Sequence, residues 1–137
     1  MNAVTKNILA VVAGIIVGGF VNMGIIAVSG SIVAPPEGVD MTTPEGLAAG
    51  IELLEPKHFL MPFLAHALGA FFGALTTGLI AASHKMRFAL IIGAFYLVGG
   101  IMMVFMVPAP IWFVAVDLIL AYLPMAFIAG KIASRKQ

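Results

Sequence analysis

His66 and Asp117 are the residues of this chain best equipped for chemistry. One is an imidazole able to gain or lose a proton near neutrality; the other is a carboxylate able to orient it or to hold a cation. Both lie inside long apolar runs, and Asn22 lies inside a third. An unpaired carboxylate within a bilayer costs on the order of 2.5–3.5 kcal/mol even on the lenient insertion scale, so Asp117 needs a partner, a proton or water. Counted from the ends of their runs, Asn22, His66 and Asp117 lie six, seven and six residues in. At about 1.5 Å per residue, each falls roughly 10 Å into a ~30 Å hydrocarbon core, on one side of its midplane. They form one candidate polar intramembrane site. Two readings compete: a proton, cation or ligand site of a transport or channel protein, and a polar clasp in a structural or accessory subunit of a larger membrane complex. An enzyme with His66 as base ranks last, because no serine or threonine is placed beside it as a nucleophile; no residue is assigned a catalytic role.

Met102 and Met106 form an M-x-x-x-M pair whose thioethers share a helix face and could hold a soft ion such as Cu(I). His58 and Met61 could extend that path. The ordinary use of methionine is to fill gaps between helices, and nine methionines in so apolar a chain fit that use. No cofactor is indicated.

These side chains require membrane helices to carry them. The chain has 137 residues, 62% hydrophobic and 9% charged, with a mean hydropathy of +1.14. A soluble domain carries roughly 25% charged residues. Absence of cysteine excludes disulfides, thiol nucleophiles and iron–sulfur ligation. A net charge of +1 offers no case for nucleic acid; the expected partners are the lipid bilayer and either a second copy or another membrane protein.

The apolar runs predict four spans in one domain, at about residues 8–28, 59–82, 88–107 and 111–130, with an outer loop at 29–58. The fold class is an all-α transmembrane four-helix bundle. Lys6, the first run and Ala27-Val28-Ser29 imitate a signal peptide, but the run exceeds the usual ~7–15-residue core and is read as a retained helix. In the loop, Thr43 before Pro44, then Leu47, Ile51 and Leu54, predict a short amphipathic helix ended by Pro56. Pro62 either starts or kinks the second span, and Pro124 frees the carbonyl of Leu120 and predicts a kink in the fourth. Gly14/Gly18 and Gly69/Gly73 are small-xxx-small pairs that support close crossings, within one bundle or between protomers. His66 shares the Gly69/Gly73 face.

Orientation follows from charge. Lys6, Lys85, Arg87, Lys131, Arg135 and Lys136 fall on one side of a four-span chain and only Lys57 on the other, which predicts cytoplasmic termini. The loop at 29–58 holds five of the six acids. The runs Pro35-Pro36-Glu37-Gly38-Val39-Asp40, Glu55-Pro56-Lys57-His58-Phe59 and Pro62-Phe63-Leu64-Ala65-His66 resemble a pattern of small four-span bacterial membrane proteins, as do Trp112-Phe113, Asp117-Leu118 and Ala121-Tyr122. That resemblance covers nearly the whole chain. It implies a bacterial inner-membrane protein and supplies no activity.

Overall fold

A computed structural model describes residues 1–136. Helices are the only regular secondary structure among the described residues, with no strand, and four of them are long and apolar enough to cross a membrane. The first, α1 (Ala3–Ile32), is capped by Asn2, whose Oδ1 accepts from Thr5 N–H at 2.8 Å. It outruns the expected 8–28 at both ends, since its backbone hydrogen bonding continues past the apolar stretch, from the Asn2 cap to Val33 N–H on Ser29 O. Near its start Asn7 holds the turn after the second span: Oδ1 accepts from Ala82 N–H at 2.8 Å and Nδ2 donates to Ser83 Oγ at 3.2 Å.

In the long connection, α2 (Pro44–Gly50) starts at Thr43, whose Oγ1 accepts from Gly46 N–H at 3.0 Å. Beyond Gly50 the backbone tightens into a 3-10 turn over Ile51–Leu53, so the α-helical part is shorter than the spacing of Leu47, Ile51 and Leu54 implies. A second 3-10 turn, Pro56–Phe59, leads into α3 (Leu60–Ile80). Pro62 lies in the first turn of α3, where its missing N–H removes no helical bond; it starts the helix and does not kink it.

After α3 the chain reverses at Ala81–His84, with His84 in the left-handed region at φ 48°, and enters α4 (Lys85–Met106). The fourth span is two helices, α5 (Ile111–Leu120) and α6 (Leu123–Arg135), broken at Ala121 and Tyr122. The kink expected from Pro124 is thus a full interruption, with Pro124 in the first turn of α6.

α3 packs against α1, α4 and α6, and its buried residues are nearly all small: Ala65, Ala67, Gly69, Ala70, Gly73 and Ala74. Ile92 and Thr77 are the largest fully buried side chains. A core of alanine and glycine lets backbones approach, which is how helices associate where lipid removes the hydrophobic drive. The two glycine pairs meet each other. A Cβ built on Gly73 would lie 2.7 Å from Gly14 O, and one built on Gly69 would lie 3.0 Å from Gly18 O. Across this contact Thr77 Oγ1 donates to Ala10 O at 3.0 Å, and from α4 Tyr96 Oη donates to Ile15 O at 2.6 Å. A second set of close approaches joins α6 to α3 and α4: Gly78 faces Ala133, Gly93 faces Ala126 and Gly130 faces Ala89.

The start of α1, the turn after α3 and the last turns of α6 meet at one end of the bundle, which gathers six of the seven Lys and Arg residues. Phe59, Trp112 and Phe113 cluster at the other end, with centroids 4.9–6.0 Å apart.

Candidate functional site

Asp117 occupies the last turn of α5, and only 5% of its surface is exposed. His66, two turns into α3, reaches it directly, with Nδ1 to Oδ1 at 2.8 Å. The second carboxylate oxygen, Oδ2, accepts from Tyr122 Oη at 3.1 Å. Tyr122 also stacks on the His66 ring, with centroids 5.9 Å apart and planes 25° apart. This geometry depends on the break in the fourth span. On a continuous helix, positions five apart lie about 140° around the axis, on different faces. Interrupting the helix between Leu120 and Leu123 turns Tyr122 back toward Asp117.

An ionised carboxylate only accepts, so with Asp117 ionised Tyr122 Oη donates to Oδ2 and the His66 tautomer protonated at Nδ1 donates to Oδ1, which leaves Nε2 as the free nitrogen of the imidazole. The His66 side chain is 29% exposed, against 7% for Asp117, so the imidazole is the accessible member of the pair. It lines two cavities. One, of about 320 Å³, reaches up to Met41, Thr42 and Thr43 in the connection and has Asp117 in its wall. The other, of about 340 Å³, lies between α1, α3 and α4 and is lined by Asn22, Tyr96 and Tyr122.

Of the three polar residues level in depth, the structure therefore joins two. Asn22 packs over Gly69, and its Oδ1 is buried with no hydrogen-bond partner among the described residues. The sequence reading missed Tyr122 and Tyr96, whose hydroxyls bond Asp117 and the backbone of α1. Met102 and Met106 are exposed on α4 and border the Asn22 cavity. His58 and Met61 are buried elsewhere, and His58 Nδ1 accepts from Glu55 N–H at 2.8 Å, so the four do not line one cavity. Among the described residues no group of three His, Asp or Glu side chains gathers as a metal site. No family model, curated protein or solved structure matches the chain.

Proposed function

We propose that this is a small bacterial inner-membrane transport protein in which His66 binds and releases a proton and Asp117 is its fixed counter-charge. The observation that carries the reading is the His66–Asp117–Tyr122 cluster at the break of the fourth span, with Asp117 and Tyr122 buried and the half-buried imidazole facing a cavity. Intramembrane ionisable groups mark ion and substrate paths, and interrupted helices commonly hold such sites because irregular backbone is tolerated where it lines a cavity. His66 Nε2 takes the proton. Asp117 keeps the tautomer fixed and stabilises the imidazolium, and Tyr122 holds the carboxylate in place. The positive-inside rule puts the basic end in the cytoplasm, so the cavity that reaches the connection opens outward.

The competing reading, a polar clasp in an accessory subunit, draws less support from the packing, since the glycine pairs that would recruit a partner are spent inside the bundle. Proteoliposomes under an imposed pH gradient separate the two. Transport predicts that the parent protein dissipates the gradient and that Asp117→Asn folds but does not, the amide retaining shape without a charge. A clasp predicts no flux from the parent, tolerance of Asp117→Asn and loss of stability in Asp117→Leu.

A further inference from the structure

The cavity above His66 is built for a particular kind of occupant. Its walls are Leu47, Phe59, Met103, Val104, Val107 and Phe113, all apolar, and its polar groups are concentrated at His66 and Asp117. The hydroxyls at its mouth are already engaged, Thr43 Oγ1 by Gly46 N–H and Thr42 Oγ1 by Asp40. A bare metal cation needs several oxygen ligands to replace its water, and this cavity supplies one carboxylate whose oxygens each hold a donor. The connection above it carries Glu37, Asp40, Glu45, Glu52 and Glu55, and the one lysine there, Lys57, pairs with Glu55 at 3.4 Å. That field attracts cations and repels anions. A volume of about 320 Å³ is at the small end of ordinary ligand pockets.

We infer that the cavity binds a small organic ammonium ion, apolar in body and carrying N–H donors, and exchanges it for a proton at His66; this rests on the proton-binding role given to His66 above. The exchange follows from charge. With His66 neutral and Asp117 ionised, the site holds one negative charge, which is costly within a membrane. An ammonium ion neutralises it by donating N–H to His66 Nε2 with Asp117 behind. A proton bonded to Nε2 neutralises it equally and turns that nitrogen into a donor, which repels the ammonium and removes its acceptor. One positive charge occupies the site at a time, so binding of either expels the other. The titratable groups around His66 are Asp117 and Tyr122 from the fourth span and Tyr96 from α4; α1 offers Asn22 and the connection Thr42 and Thr43, none of which titrates.

The test uses the whole chain in phosphatidylcholine nanodiscs, with empty nanodiscs as the blank. Isothermal titration compares benzylammonium, benzyl alcohol, ammonium and benzoate, in two buffers of different ionisation enthalpy so that proton release is counted. Expected is saturable benzylammonium binding that releases protons and weakens as pH falls, with benzyl alcohol and ammonium about tenfold weaker or worse, and no benzoate binding. Benzyl alcohol or benzoate binding as tightly as benzylammonium, or benzylammonium binding without proton release, overturns the inference. The ligand series on the parent protein decides this without any variant. His66→Gln, which keeps a hydrogen-bonding side chain but cannot titrate, should abolish proton release. Proton flux in liposomes with no benzylammonium binding would sink the exchange alone and leave the proton-binding reading standing; absence of both would sink the two together.

Discussion

Replacing Gly18 by alanine tests the contact that sets α1 against the helix bearing His66. A Cβ there would lie 2.6 Å from Gly69 O and 2.5 Å from Tyr96 Oη. Restoring an ordinary 3.4 Å contact to the carbonyl needs α1 to retreat by about 0.8 Å. A radial gap of that size forfeits roughly a quarter to a half of the dispersion attraction across the contact. It also stretches the 3.0 Å bond from Thr77 Oγ1 to Ala10 O past useful length. Overpacking costs about 1–3 kcal/mol and a lost hydrogen bond about 1, offset by the 0.5–1 kcal/mol that alanine gains over glycine in a helix. The net expectation is a loss of about 1–3 kcal/mol. Gly24 and Gly99 are the matched controls, because a Cβ at either meets nothing within 4 Å. Thermal unfolding in detergent micelles, followed by Trp112 fluorescence, should place Gly18→Ala well below the parent and Gly24→Ala and Gly99→Ala level with it or above. Equal midpoints for Gly18→Ala and Gly24→Ala would refute the close crossing.

Other outcomes are as specific. Cysteines introduced at Ser31 and Ser134, in a chain that has none of its own, should react with impermeant reagents from opposite faces of intact cells. Labelling of both from one face would overturn the four-span topology. Tyr122→Phe removes the donor to Asp117 Oδ2 and should cost about 1–3 kcal/mol in the same unfolding assay, since the carboxylate is left partly unsatisfied; an unchanged midpoint would show that the hydroxyl adds nothing. In the connection, the hydroxyl and then the backbone N–H of Thr42 hold the Asp40 carboxyl below its usual range. Thr42→Val should therefore raise the Asp40 pKa, read by carbon NMR across an acid titration, and no movement would contradict that assignment.

The four helices were legible because an apolar stretch long enough to cross a bilayer leaves few alternatives, and the level depth of His66 and Asp117 could be counted from span ends. Depth says nothing about azimuth. Asn22 shares the depth but points along the α1–α3 contact, so the count grouped it with a pair it does not bond. Tyr122 was hidden for a related reason. Helical periodicity puts it off the Asp117 face, and only the interruption of the fourth span brings it back. Pro124 was the available signal, and it marked where the backbone departs from helix without indicating how far. The glycine pairs announced a close crossing; that they meet each other needed the fold, because spacing on one helix does not name its partner.

The measurement that bears most directly on the central claim is nitrogen-15 NMR of His66, in protein labelled at histidine, reconstituted in nanodiscs and with His58 and His84 replaced by glutamine, titrated with acid. If Asp117 is the fixed counter-charge and Nε2 the proton-binding atom, Nδ1 stays protonated at every pH and only Nε2 changes from bare to protonated. Asp117→Asn should disturb that tautomer. A neutral form with Nε2 protonated and Nδ1 bare would mean that Asp117 carries the proton and donates it to the ring. That result, or a His66 signal that never responds to pH, would contradict the account.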